Sequence, residues 1–203
     1  RSGIQVKKKR ILALFLAAVS CLSLAVSASA ANTVNCKATD FRDYDRTAWY
    51  AEAVSAAVDN GLLYGKSANV LDPNGDMTRA EMAAIINRSF GCYKTADISQ
   101  YKDVSKSKWY YKDVALAVQM GTYNGRSSSS MAPDAPISRQ EAMTVVARAL
   151  ELDYDAYAKT DLSAFSDRDK ISAWALPYVR SMVGAGYIHG RGIILAPLDN
   201  ITR

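Results

Sequence analysis

The sequence predicts an all-α protein built from three tandem helix-loop-helix repeats. Three observations carry this: blocks of residues that recur at a fixed offset, apolar positions at helical spacing inside each block, and a Thr/Ser-x-x-Glu start signal ahead of a second apolar stretch. The first offset is 60. Phe41-Arg-Asp43 recurs as Tyr101-Lys-Asp103, Trp49-Tyr50 as Trp109-Tyr110, Gly61 and Gly65 as Gly121 and Gly125, Asp72-Pro73 as Ala132-Pro133, and Met77-Thr-Arg-Ala-Glu81 as Ile137-Ser-Arg-Gln-Glu141. Arg88 and Arg148 complete the series without a gap. A third copy follows at 64 or 65, with Phe165-Ser-Asp167, Trp174, Val179, Val183, Gly186, Gly190, Ala196-Pro197 and Ile201-Thr-Arg203.

Within copy one, Trp49, Ala53, Val54, Ala57 and Val58 fall on one face of a helix predicted over 49–60, which Gly61 ends. That spacing makes a core position the default for Trp49, Trp109 and Trp174, with stacking on sugar rings as the functional alternative. A loop with Gly65, Asp72-Pro73 and Gly75 leads to the second helix, whose Met82, Ile85, Ile86 and Phe90 share a side. Thr78 with Glu81, and Ser138 with Glu141, are capping boxes that satisfy orphan amides of the first turn. Copy three has Thr202 but neither the Glu nor the second helix, which leaves the Trp174, Val179 and Val183 face without the helix expected to cover it.

The chain divides into an N-terminal signal peptide (1–30), a short segment (31–40), repeat 1 (41–92), repeat 2 (101–152), a polar linker (153–164) and an incomplete repeat 3 (165–203). The signal is read from Lys-Lys-Lys-Arg at 7–10, the apolar run 11–26 and Ala28-Ser-Ala30. The run is short for a spanning helix, so no membrane association is expected after cleavage. Residues 1–30 carry five of the 25 basic residues and none of the 20 acidic ones, so 31–203 hold 20 of each. A net charge of zero lacks the basic footprint of a nucleic-acid binder. Cys36 and Cys92 remain beyond the signal. With one His, His189, they cannot form a Cys/His zinc site, and one disulfide is the alternative use. No nucleophile-elbow, zincin or phosphate-loop motif appears, which disfavours an enzyme, and no cofactor is expected.

The aromatic-x-Asp opening, the Trp-led helix, the Gly-containing loop and the Thr-Arg-Ala-Glu block together resemble the S-layer homology domain, over residues 41–203. The resemblance implies three repeats packed as a pseudo-threefold trimer. It also implies a non-catalytic module that anchors an exported protein at the Gram-positive cell surface by binding a secondary cell-wall polysaccharide, commonly pyruvylated, in grooves between repeats. Alternatives are a self-associating surface-layer subunit and the anchor of a wall-bound hydrolase whose catalytic region is missing. Repeat 2 departs from the pattern with Ser138 for Thr and Gln140 for Ala.

Ligand contact is expected at Arg79, Arg139 and Arg203. Each sits in a helical first turn, where free amides and the dipole favour an anion, and a guanidinium adds a two-pronged grip on a carboxylate. The competing role for these arginines is a pair with the opening Asp43, Asp103 or Asp167 of the same repeat. Those aspartates, the three tryptophans, and Gly65, Gly125 and Gly190 complete the candidate set. For the glycines, close backbone approach to a ligand and a turn needing positive φ are equal readings.

Overall fold

The computed structural model describes residues 36–203; the signal at 1–30 lies outside them. Five α-helices follow in order: α1 Ala51–Asp59, α2 Arg79–Phe90, α3 Tyr111–Gln119, α4 Arg139–Ala149 and α5 Leu176–Gly184. Single 3-10 turns occur at Ala38–Asp40 and Arg168–Lys170. Between them run hydrogen-bonded turns and isolated β-bridges. No helix among the described residues is long and apolar enough to cross a membrane.

The start signals work as local chemistry demands. Thr78 accepts from the Glu81 amide while the Glu81 carboxylate accepts from the Thr78 amide, and Ser138 with Glu141 does the same. Gly91, at φ 68°, closes α2 in the left-handed region. The first helices begin later than their periodicity suggests. Helix α1 starts at Ala51, and its buried stripe is Ala51, Val54 and Val58. Trp49 and Ala53 are exposed. All three tryptophans stand outside the core, at 93%, 60% and 51% exposure for Trp49, Trp109 and Trp174. Tyr110, which follows Trp109, is the buried member of its pair at 1%, and its hydroxyl donates to Asp134 at 2.8 Å.

Helices pack across repeat boundaries. The second helix of repeat 1, α2, packs on the first helix of repeat 2, α3, and α4 packs likewise on α5 of repeat 3. One core joins Met82, Ala83 and Ile86 to Val114, Ala115 and Ala117. Another joins Met143 and Ala147 to Val179 and Met182. Helix α1 packs instead on the 3-10 turn at Ala38–Asp40, with Phe41, Leu63 and Leu71 around it. The face expected to be uncovered on repeat 3 is covered in part: Val179 is fully buried and Val183 partly buried against α4 of the preceding repeat, while Trp174 stays exposed. The departure at Gln140 has a similar origin. Its amide donates to Ser172 Oγ at 3.0 Å and accepts from the Ser172 amide at 2.9 Å, tying α4 to the entry of α5.

Where the three Thr/Ser-Arg segments meet, the backbone forms a closed relay. Met77 N–H donates to Ile201 O at 2.9 Å, Ile201 N–H to Ile137 O at 3.1 Å, and Ile137 N–H back to Met77 O at 2.9 Å. One step along, Arg79 N–H donates to Ala135 O, Arg139 N–H to Asp199 O and Arg203 N–H to Gly75 O. Within each set of three bonds every repeat donates to one repeat and accepts from the other, and the two sets run in opposite senses.

The opening aspartates hold the loops that feed this centre. Asp43 accepts from the amides of Leu71 and Asp72 at 2.8 and 2.7 Å. Asp103 takes those of Met131 and Ala132, and Asp167 those of Leu195 and Ala196. The second residue of each pair has positive φ, at 58°, 52° and 54°, an unfavourable conformation for Asp or Ala. Two charge-assisted hydrogen bonds to the turn offset that strain. Burial opposes ionisation of Asp43, Asp103 and Asp167, but the amide donors outweigh it and hold all three below the ordinary carboxylate range. A carboxyl with a folded pKa below its unfolded value of about 3.9 contributes stability that is fully present above that pH and is lost as pH falls through the folded value. The melting temperature should therefore drop most steeply below about pH 4. Asp103→Asn, which loses the charge, should melt lower at neutral pH and show a shallower acid slope in a pH series of thermal melts.

Candidate functional site

Two grooves lie between repeats, and they are built alike. The first, about 540 Å³, is lined by the loop Thr122–Arg126, by Glu141, Thr144, Val145 and Arg148, by Arg79 and by Trp174. The second, about 440 Å³, is lined by Leu63–Lys66, by Glu81, Ala84, Ile85 and Arg88, by Arg203 and by Trp109. Apart from Thr122, which lines only the first, these are equivalent positions of repeats 2 and 1, with Gly, Glu and Arg kept at 125/65, 141/81 and 148/88. Each groove takes its loop and helix from one repeat, its buried arginine from a second and its tryptophan from the third.

Arg79 does not pair with Asp43. It crosses into repeat 2, where Nε donates to Met131 O at 3.0 Å, Nη1 to Glu141 Oε1 at 2.9 Å and Nη2 to Asn124 O at 3.1 Å. The ring of Tyr123 lies against its guanidinium, 5.2 Å away. Arg203 repeats the pattern into repeat 1, donating to Leu71 O and Tyr64 O and pairing with Glu81. Arg139 donates from Nε to Leu195 O at 3.0 Å. Arg79 and Arg203 thus pair with a glutamate of another repeat rather than with the Asp of their own, while Arg139 bonds a carbonyl of the next repeat and has no carboxylate partner among the described residues. The expectation of free amides beside Arg79 also fails: the amides of Arg79 and Ala80 donate to Ala135 O and Pro133 O, and that of Glu81 to Thr78 Oγ1.

Glu141 is correspondingly crowded. Besides the Ser138 amide and Arg79 it meets Arg126, whose Nε and Nη2 both reach its oxygens at 3.2 Å. Burial raises its pKa, yet these hydrogen bonds and the two guanidinium charges lower it on balance, so the group stays ionised. Charge-matched arginines leave little for an anion to bind. Arg148 and Arg88 differ. Arg148 donates to Thr122 O and Tyr178 OH, and Arg88 to Leu62 O. Each stacks on a tyrosine, Tyr178 at 4.7 Å and Tyr64 at 4.1 Å. Neither pairs with a carboxylate among the described residues. Sequence reasoning noted their recurrence but gave them no role; the signal was a cation kept at one register on the second helix, about two turns beyond the Glu.

The remaining candidates separate cleanly. Trp109 and Trp174 line grooves, and Trp49 lines neither. Gly65 and Gly125 line grooves, and neither has positive φ. Their lack of a side chain serves the chain itself: a Cβ on Gly65 would lie 2.3 Å from the Phe41 ring, and one on Gly125 2.5 Å from that of Tyr101. Gly190 has both features, a φ of 72° and a Cβ position 2.5 Å from the Phe165 ring. Asp43, Asp103 and Asp167 line neither groove and are committed to their loops. Cys36 and Cys92 are free thiols.

Breaking a buried ion pair on one side costs about 3–5 kcal/mol. Arg79→Lys, which cannot reach Met131 O, Asn124 O and Glu141 together, should lower the melting temperature by several degrees. Arg79→Ala should lower it further in the same thermal melts.

Comparison with known proteins agrees with this architecture. The S-layer homology domain matches residues 40–83, 100–143 and 164–203. The chain is 35% identical over 126 residues to the surface-layer 125 kDa protein of Lysinibacillus sphaericus, which covers 60% of this chain and 11% of that protein. It is 26% identical over 170 residues to an endoglucanase of Bacillus sp. strain KSM-635, covering 82% and 18%. It is 28% identical over 138 residues to the cellulosome-anchoring protein of Acetivibrio thermocellus, covering 64% and 30%. The chain thus spans less than a third of the length of each of these relatives. With three matched segments that take in more than half of its residues, the chain belongs to the S-layer homology domain family.

Proposed function

We propose that the chain is a non-catalytic module that anchors an exported protein at the bacterial cell surface by binding an anionic, pyruvylated secondary wall polysaccharide in its inter-repeat grooves. The observation that carries this reading is the pairing, in both grooves, of a second-helix arginine without a carboxylate partner, Arg88 or Arg148, with an exposed tryptophan from another repeat. A guanidinium grips a carboxylate, and an aromatic face stacks on a sugar ring. Arg79 and Arg203 shape the walls, while Gly65 and Gly125 keep the loops low. Arg139 and Trp49 are the matching elements supplied by the other repeats, and Gly190 is the matching loop residue.

Catalysis is disfavoured by the same geometry. A glycosidase needs two carboxyls free to act as acid and base or nucleophile. Each groove offers one, Glu81 or Glu141, and each is consumed by a helix cap and an arginine. The relatives fit an anchor whose cargo varies, since one is a surface-layer protein, one an endoglucanase and one is named for anchoring a cellulosome.

Co-sedimentation with Lysinibacillus sphaericus sacculi tests the reading. The chain should pellet with intact sacculi, release as salt rises, and fail to pellet with sacculi stripped of secondary polymer. The double variant Arg88→Gln with Arg148→Gln should lose at least tenfold in affinity, in line with a charged hydrogen bond worth about 1.5–3 kcal/mol, and should melt much closer to the wild type than Arg79→Lys does. Equal binding to stripped sacculi would make peptidoglycan the partner instead.

A further inference from the structure

Both grooves carry a cation at the same loop position, Lys66 in repeat 1 and Arg126 in repeat 2, but they hold it differently. Lys66 Nζ pairs at 3.3 Å with Asp72 Oδ2, a carboxylate of its own loop that does not line the groove. Gly75 makes room for that carboxylate, because a Cβ there would run into it. Repeat 2 has Ala132 where repeat 1 has Asp72, and Ala135 where it has Gly75, so both the acid and its space are lost. Arg126 turns to the groove wall instead. Its Nε and Nη2 reach Glu141 at 3.2 Å, and Nη2 also donates to Pro136 O at 3.3 Å.

One carboxylate cannot neutralise two guanidiniums. Arg79, with 6% of its side chain exposed, is the buried partner of Glu141, whereas Arg126 is 45% exposed in the same groove as Arg148. We propose that Arg126 is a ligand-contacting, specificity-determining residue: together with Arg148 it meets the anionic group of a sugar in the repeat 2 groove. In the repeat 1 groove Asp72 withdraws Lys66 from that task and leaves it to Arg88. The loop residue before the proline, Asp72 or Ala132, therefore decides whether the loop cation serves the groove or its own loop. A second cation raises selectivity for a charged ligand over a neutral analogue of the same shape. This role rests on the reading of the grooves as carbohydrate sites.

The tryptophans give each groove its own reporter, Trp174 for the repeat 2 groove and Trp109 for the repeat 1 groove. Their indole N–H resonances are followed while isotope-labelled protein is titrated with a methyl glycoside bearing a pyruvate ketal, and separately with the methyl ester of that ketal. The ratio of the two midpoints is a groove's preference for the charge, and each groove is compared only with itself across variants. Arg126→Gln should lower the preference at Trp174 roughly fivefold, the upper end for an exposed ion pair, and leave the ester midpoint in place. Lys66→Gln should lower that at Trp109 by less than about twofold. Asp72→Asn suits the positive φ of 58° and should raise the preference at Trp109 about threefold. That gain should vanish in the double variant Asp72→Asn with Lys66→Gln. The assignment is overturned if Arg126→Gln leaves the preference at Trp174 unmoved or shifts the ester as much as the acid. It is also overturned if the Asp72→Asn gain survives without Lys66, which would make it a field effect of the lost charge. In each of these cases the responding indoles leave the groove reading standing. Silence of both indoles toward both probes, with sacculi still bound, removes the groove reading and this inference with it.

Discussion

The backbone of one residue per repeat is held from two sides, and the architecture follows from it. In repeat 2, the amide of Met131 donates to Asp103 of the same repeat, while its carbonyl accepts from Arg79 of the repeat before. Leu71 is held between Asp43 and Arg203, and Leu195 between Asp167 and Arg139. All three side chains are fully buried, at 0%, 1% and 0% exposure for Leu71, Met131 and Leu195. A backbone group buried without a partner is costly, so each loop can enter the core only when an aspartate and an arginine from different repeats both arrive. This makes the repeats interdependent, as the cross-boundary helix packing also does.

The same interaction shapes the grooves. Once Arg79 and Arg203 are drawn under the neighbouring loop, they meet Glu141 and Glu81 of that repeat, and both charges of each pair are neutralised inside the wall. What stays available at the rim is the next cation along the helix. Arg148 and Arg88 are held by carbonyls and a tyrosine ring, partners that orient a guanidinium without cancelling its charge. A buried structural pair beneath an unneutralised arginine is an economical way to present one positive charge on residues 31–203, whose basic and acidic residues are equal in number.

The local grammar was legible in the sequence, and the long-range grammar was not. Thr78 with Glu81, and Ser138 with Glu141, act within three residues, so their spacing alone specifies the cap. The repeat itself was visible as a string of matched positions. The arginine partners were not, because Arg79 meets Glu141 and Met131 more than fifty positions away, and nothing in one repeat distinguishes its own Asp from a neighbour's Glu. The tryptophans mislead for a different reason. A period of 3.6 marks a helix face, but Trp49 precedes the first helical residue, Ala51, and so lies off the stripe that Val54 and Val58 define. The glycines at 65 and 125 are legible only once Phe41 and Tyr101 are seen against them.

The central claim is that the doubly held residues form one cooperative unit rather than three local clamps. Native-state hydrogen exchange at the amides of Leu71, Met131 and Leu195, compared between the wild type and Arg79→Lys, reads this directly. The account predicts similar protection for the three amides in the wild type. It also predicts that protection falls at all three when only the Met131 carbonyl loses its arginine. A fall confined to Met131, with Leu71 and Leu195 exchanging as before, would contradict it and make each repeat an independent unit.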